Sequence, residues 1–414
     1  MDERGVVTCF LRNDGQVLLF RRSDDVGSYP GRWGTVSGHL APERDAPDDD
    51  PETAAKREVR EETGLEDAVT LVRSGDPFVV EDEDRGTRWR VHPLLFDCAR
   101  RDVDPNWETA AFEWVHPTEI RRRETVPDLW TSYDRVRPTV ETVATDREHG
   151  SAWLSIRALE VLRDEAALAS EYEGVAAIAR ELRSARPSMT VVKNRVNRVM
   201  ASVDDRSTAA VEFTARAVIE SAVRTDREAA SVAAERLEGQ RICTFSRSGT
   251  ALDALDRADP EAVLVGESHP GDEGVAVAET LADDHDVTLT SDAALSSLLD
   301  EWDADAVLVG ADTILPNGSV VNKIGTRGLA LAADRESVPL CVVAAADKVS
   351  PDSDVDIEPS PETLYDGTAS LTVENPLFDV TPADLIDKIC TDEGVLDSEA
   401  VTAIAERHRS NREW

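Results

Sequence analysis

The sequence predicts an α+β amino-terminal domain, then a helical module, then an α/β domain built on a parallel sheet. Three observations predict this order. Strand-like runs surround one short, sharply delimited helix in residues 1–147. Residues 148–240 carry apolar positions at helical spacing and no strand signal. From 241 to 414, strand-like and helix-like runs alternate.

The first strands are expected at 5–11 and 17–22. A helix follows, with Asp50 placed to cap it, Pro51 suited to its first position and Gly64 able to close it in the left-handed conformation. Further strands are expected at 88–96 and 111–115. Helices at 153–168, 172–183 and 208–237 follow; their apolar stripes must pack on the next domain or on a second subunit. Strands are then expected at 241–245, 262–266, 286–290, 304–310 and 340–345, with helices at 274–283 and 293–302 among those between them. Such alternation implies right-handed crossovers and a Rossmann-like parallel sheet. Ligands bind at the carboxyl ends of such strands, which directs attention to 245–249, 267–270, 291–292, 310–313 and 345–348.

Composition narrows the function. The chain has 414 residues, 83 acidic against 45 basic, and a formal charge of −38. That charge repels nucleic acid and anionic membranes, so direct nucleic-acid binding is not expected. The only lysines are Lys56, Lys193, Lys323, Lys348 and Lys388. Scarce lysine with abundant Asp and Glu looks like adaptation to a salt-filled cytoplasm, where a short Debye length screens self-repulsion. Cys9, Cys98, Cys243, Cys341 and Cys390 have no metal-site spacing, so buried free thiols and a reducing interior are expected. No apolar run reaches membrane-spanning length and no signal peptide is seen, so a cytoplasmic protein is expected.

The helix bounded by Asp50 and Gly64 carries Arg57-Glu58-Val59-Arg60-Glu61-Glu62-Thr63-Gly64-Leu65. Glu58, Glu61 and Glu62 are related by i, i+3 and i+4 and crowd one region of helix. Their mutual repulsion reverses sign when a hard divalent cation binds. The run resembles the second half of the Nudix box, with Ala54-Ala55 before it. Pro30-Gly31-Arg32-Trp33-Gly34-Thr35-Val36-Ser37-Gly38-His39 looks like the strand and loop leading into that box. Phe112-Glu113-Trp114-Val115 resembles a late strand of that fold. The resemblance covers roughly residues 1–145. It departs from the pattern where the box's glycine and first glutamate would stand, since those positions hold Glu43 and Asp49. An acidic insertion, Pro42 to Asp50, lengthens the loop; either Asp49 stands in for that glutamate or its contribution is lost.

The carboxy-terminal two-thirds carries Thr244-Phe245-Ser246-Arg247-Ser248-Gly249-Thr250, Glu267-Ser268-His269-Pro270, Gly310-Ala311-Asp312-Thr313 and Asn317-Gly318-Ser319-Val320-Val321-Asn322-Lys323-Ile324-Gly325-Thr326. Together these resemble the superfamily of initiation factor 2B alpha, beta and delta subunits, ribose-1,5-bisphosphate isomerase and methylthioribose-1-phosphate isomerase. Gly150-Ser151-Ala152-Trp153-Leu154 and Arg186-Pro187-Ser188-Met189-Thr190 look like landmarks of its helical domain. A Ser-Arg-Ser-Gly-Thr loop between strand and helix suits a phosphate, through backbone N–H groups and Arg247. It also suits plain helix capping. Lys323 beside Asn322 adds one of the rare ammonium groups.

The first resemblance implies an Mg²⁺- or Mn²⁺-dependent hydrolase of a nucleoside-diphosphate-linked or related pyrophosphate substrate. Glu58, Glu61 and Glu62 would hold the metal, Arg57 would orient them, and Glu108 and Glu113 are further candidate bases. The second resemblance implies a pocket for a nucleotide or sugar phosphate, with Arg247, Ser248, Asp312, Asn322 and Lys323 on it, in a homo-dimer or larger assembly. It also implies that an isomerase would use a cysteine and an aspartate. The aspartate is Asp312, but the cysteine position holds Ser246, whose hydroxyl is a far poorer acid. His269 stands where the family has arginine. The carboxy-terminal part is therefore read as a noncatalytic binding and assembly module. A regulatory translation-factor-like role and a sugar-phosphate isomerase are the alternatives.

Overall fold

The computed structural model describes residues 2–41, 50–360 and 362–414. Glu43, Asp49 and most of the acidic insertion lie outside the described residues. The chain forms two compact units, Met1–Thr139 and Val140–Trp414.

The first unit contains β1 (Asp2–Asn13), β2 (Gln16–Arg22), β3 (Trp33–Gly34), β4 (Val36–His39), α1 (Pro51–Thr63), β5 (Val69–Ser74), β6 (Phe78–Asp82), β7 (Thr87–Cys98), β8 (Thr109–Val115) and α2 (Leu129–Asp134). β1 and β7 run parallel at its centre, from Asp2↔Thr87 to Arg12↔Asp97. β2 and β4 flank β1 and β8 pairs with β2, all antiparallel. Asp14 and Gly15, both at positive φ, make the tight turn that joins β1 to β2. The sheet buries both faces. Val7, Cys9 and Leu11 join Ala54, Ala55 and Val59 of α1, while Phe10 turns the other way onto Tyr133 of α2. The alanine pair brings α1 close to the sheet.

The second unit opens with α3 (Val140–Thr145), α4 (Ser151–Leu168), α5 (Tyr172–Ala185), α6 (Thr190–Ala201) and α7 (Thr208–Ala234). There follow β9 (Arg241–Phe245), α8 (Gly249–Ala258), β10 (Ala262–Gly266), α9 (Glu273–Leu281), β11 (Val287–Thr290), α10 (Asp292–Glu301) and β12 (Ala306–Val309). The remainder is β13 (Thr313–Ile314), β14 (Val320–Lys323), α11 (Thr326–Glu336), β15 (Leu340–Val343), β16 (Phe378–Thr381), β17 (Lys388–Thr391), β18 (Gly394–Leu396) and α12 (Ser398–Ser410). The main sheet runs β11-β10-β9-β12-β15-β17-β18 and is parallel except at β18. Strand order therefore reverses between β9 and β12, where a ligand crevice is expected.

The parallel sheet expected from the alternating runs is present, and helices α3–α7 precede it in the chain. One helix joins them: α7 gives Val211, Ala215 and Ile219 to the helical core and Ala229, Ala230 and Ala233 to one face of the sheet. Much of the apolar surface of these helices is thus covered within the chain, though Phe213 of α7 stays 74% exposed. A small sheet, β13-β14-β16, was not anticipated; it packs Val321 and Phe378 onto the helices.

Candidate functional site

The first site is built on α1. Asp50 accepts from Thr53 N at 3.1 Å, Pro51 opens the helix, and Gly64 closes it at φ 67°. This fixes the rotation of α1 against the sheet, and the three glutamates meet different surroundings. Glu62 shares the buried face with Ala55 and Val59 and is only 8% exposed. Its Oε1 accepts from Ser37 N on β4 at 3.3 Å. Glu58 lies at the edge of that face, against Gly38, where a Cβ would stand 1.9 Å from its carboxyl carbon. Only glycine leaves room for it there. Arg57 Nη2 donates to Glu58 at 3.2 Å and to the His39 carbonyl at 2.7 Å, tying the helix to the end of β4. The Glu61 side chain is 54% exposed and 3.9 Å from Arg60.

Burial governs the protonation of these groups. It raises Glu62 from 4.5 to about 8; Glu58 and Glu108 push the same way, against the Ser37 N–H and Arg22. Burial likewise raises Glu58, opposed by Arg57 and reinforced by Glu61 and Glu108. His39 is lowered by burial and by Arg4. Glu108 thus belongs to the same electrostatic cluster as Glu58 and Glu62. Glu113 instead pairs with Arg123 at 2.7 Å.

Among the described residues, no three His, Cys, Asp or Glu side chains stand as a ready metal cage. The donors nonetheless suit a hard cation. They are carboxylate oxygens, and two are held in surroundings that disfavour their charge unless a cation compensates it. Glu58 and Glu62 would provide fixed ligands, and the exposed Glu61 is free to turn toward them. Beside them opens a cleft of about 830 Å³ lined by Arg4, Arg22, Tyr29, Arg85, Trp89 and Glu108, among others.

The second site lies where strand order reverses. Val309 of β12 pairs with Phe245 of β9, so their following loops run side by side. A Cβ on Gly310 would meet Ser248 Oγ at 2.5 Å, which shows how closely the loops are pressed. Ser248 caps α8 by accepting from Ala251 N at 3.2 Å. Arg247 makes no hydrogen bond or ion pair among the described residues. Ser246, at φ 64°, donates from Oγ to Glu273 at 2.9 Å, and Lys323 Nζ reaches Glu273 at 2.9 Å. Lys348 is buried, bonds the Ala311 carbonyl at 2.5 Å and is lowered by that burial. Burial raises Asp312, against the pull of Lys348. Arg186 reaches Glu358 at 3.3 Å and leaves its Nε unpaired.

Arg247, Ser248, Asp312, Asn322 and Lys323 all line one pocket of about 420 Å³. Asn322 donates to Thr326 at 3.1 Å. Glu273, Arg186 and Lys348 line it too; none was named as a site residue from the sequence, though Lys348 closes the strand-end segment 345–348 singled out there. Lysine scarcity could have singled out Lys348, and Arg186 stood in a quoted landmark. Nothing local marked Glu273. Cys243 is no substitute for the absent cysteine: burial pushes its thiol up to about 12.

Comparison with known proteins matches both halves. Residues 147–398 fit the model of the Initiation factor 2 subunit family, and residues 1–136 fit the NUDIX domain model. Ribose 1,5-bisphosphate isomerase of Haloferax volcanii is 32% identical over 307 residues, spanning 66% of this chain and 93% of that protein. A putative translation initiation factor eIF-2B subunit 2-like protein of Pyrococcus furiosus is 30% identical over 273 residues, 64% of this chain and 96% of that one. Among solved structures, translation initiation factor eIF-2B of Pyrococcus horikoshii OT3 superposes with a TM-score of 0.56 at 26% identity, covering 62% of this chain and 94% of that chain. The chain therefore belongs to the Initiation factor 2 subunit family and carries a NUDIX domain ahead of the family region.

Proposed function

We propose that the amino-terminal unit is a divalent-metal-dependent hydrolase of a nucleoside-diphosphate-linked or related pyrophosphate substrate. The observation that carries this reading is the conflict at Glu62 and Glu58: two carboxylates on neighbouring turns of one helix, Glu62 buried and Glu58 lining a cleft that also presents four arginines. Mg²⁺ or Mn²⁺ held by Glu58, Glu61 and Glu62 would polarise a phosphoryl oxygen and acidify water. The chain's own groups do the rest. Arg57 fixes the Glu58 carboxylate, Ser37 N–H holds Glu62, Arg4, Arg22 and Arg85 offset phosphate charge, and Glu108 stands ready to take a proton from water. Glu61→Gln is expected to abolish turnover of every diphosphate in a nucleotide panel without unfolding the domain. Full activity in that variant would end the assignment.

The carboxy-terminal pocket is proposed to bind a sugar phosphate or nucleotide, with Arg247 and the amino terminus of α8 taking the phosphate. An isomerase reading stands beside it, because relatives that the chain matches nearly end to end carry that name and Asp312 is present. Against it stands Ser246, bonded to Glu273 in the cysteine's place. Ribose 1,5-bisphosphate separates the two: ketose formation establishes the isomerase, and binding without turnover the noncatalytic module. Self-association is proposed on the precedent of a fold relative, the tetrameric eIF2B-beta2-delta2 complex of Chaetomium thermophilum.

A further inference from the structure

All five cysteines are buried and free, and two of them touch. Cys341 on β15 and Cys390 on β17 are 49 residues apart in sequence, yet their Sγ atoms stand 3.3 Å apart. Both join the core on the face of the sheet that Ala229, Ala230 and Ala233 of α7 cover. Cys243 of β9 belongs to the core on the opposite face. Val343, not Cys341, is the register partner of Cys390, so the two thiols meet on a diagonal. A disulfide needs its Cα atoms within roughly 7 Å and its sulfurs about 2.05 Å apart. From a diagonal contact, that bond forms only as β15 and β17 shift. The end of β17 also holds the segment that follows β15. Ala344 N donates to the Cys390 carbonyl at 3.1 Å, and Ala346 N donates to Asp392 Oδ1 at 2.7 Å. This segment ends at Lys348, on the wall of the second pocket. A shift of β17 therefore acts on both of its anchoring bonds.

We propose that Cys341 and Cys390 form a reversible modification site: a peroxide closes the pair to a disulfide, and closure loosens the segment that carries Lys348. In a reducing interior such a bond is transient, which suits a sensor of oxidant. The thiols differ in readiness. The hydrogen bond from Cys341 lowers Cys390 against its burial, with help from Arg236 and Lys388, so the thiolate forms there first. That thiolate attacks one peroxide oxygen and the O–O bond breaks. Hydroxide leaves, takes up the proton Cys390 had shed, and becomes water; Cys390 is left as a sulfenic acid. The Cys341 sulfur then attacks the Cys390 sulfur. An S–S bond forms, the S–O bond breaks, and the Cys341 proton leaves with the hydroxyl as a second water. Two thiols have lost two electrons, and the peroxide has gained them.

The test treats the full chain in molar KCl with hydrogen peroxide, then alkylates, digests and maps the peptides without reduction. The expected product is a single linked pair, Cys341 to Cys390, lighter by two hydrogens and reopened by dithiothreitol, while Cys243 stays reduced. Hydrogen exchange then reads the segment. In the oxidised protein the amides of residues 344–348 should exchange about tenfold faster or more, returning to the starting rate on reduction. Cys390→Ala and Cys341→Ala, taken separately, should each abolish both the linked pair and the peroxide response of those amides. If no Cys341–Cys390 bond forms at peroxide levels that preserve the circular dichroism, the modification site is overturned. The same holds if Cys243 oxidises as readily as the pair. A bond that forms with exchange at 344–348 unchanged or slowed overturns the coupling to Lys348. So does a cysteine variant whose amides still respond to peroxide as wild type does.

Discussion

Replacing Glu62 with glutamine keeps the size of a side chain that is 8% exposed and removes its ability to ionise. In the folded protein burial raises this carboxyl from 4.5 to about 8, so between those values the native state holds a proton that the unfolded chain has lost. Stability must then fall as pH rises through that window, and it is fully present only below it. At 1.36 kcal/mol per pH unit the ceiling is roughly 5 kcal/mol, and relaxation of the cleft brings the expected loss nearer to about 2 kcal/mol. Pulse proteolysis in urea and molar KCl, without divalent ions, measures it when cleavage sites within residues 2–139 are mapped by mass spectrometry. Wild type should weaken from pH 5 to pH 8 and regain stability on adding Mg²⁺. Glu62→Gln should lack that share of the slope and gain little from Mg²⁺. Equal pH slopes in the two proteins, or a wild type indifferent to Mg²⁺ at pH 8, would refute the reasoning.

Gly38→Ala puts a methyl 1.9 Å from the Glu58 carboxyl carbon and should displace that carboxylate; diphosphate hydrolysis is expected to drop at least tenfold with the fold retained by circular dichroism. Gly310→Ala presses on Ser248 at 2.5 Å and should cost about 1–3 kcal/mol in urea unfolding and weaken ribose 5-phosphate binding. With a charge of −38, transfer from molar KCl to low salt should lower the melting temperature; an unchanged value would contradict screening as a source of stability.

Local signals carried most of what could be read beforehand. The caps of α1 were legible because Asp50, Pro51 and Gly64 act within a few residues of the helix they bound. The strands β9, β10 and β12 were legible as apolar runs, and their ends led to Arg247, Ser248 and Asp312. Tertiary contact decided the rest. Spacing placed Glu58, Glu61 and Glu62 together, but only the docking of α1 on β4 separates a buried Glu62 from an exposed Glu61. Gly38 stood in the sequence only as part of the run leading into the box, and its use is to leave space for Glu58. Glu273 reaches Ser246 and Lys323 from α9, across 27 and 50 residues, distances over which sequence pattern carries no contact information. The β13-β14-β16 sheet escaped notice for a similar reason: its strands are two to four residues long, and β16 follows β14 only after a long excursion.

Proton release on Mg²⁺ binding tests the central claim most directly, and calorimetry at pH 7 in buffers of different ionisation enthalpy counts it. A Glu62 carboxyl raised to about 8 is mostly protonated at that pH, so wild type should shed about one proton per Mg²⁺ bound and Glu62→Gln almost none. Binding with no proton released by wild type, or no binding in the millimolar range, would contradict a cation held by the glutamates of α1.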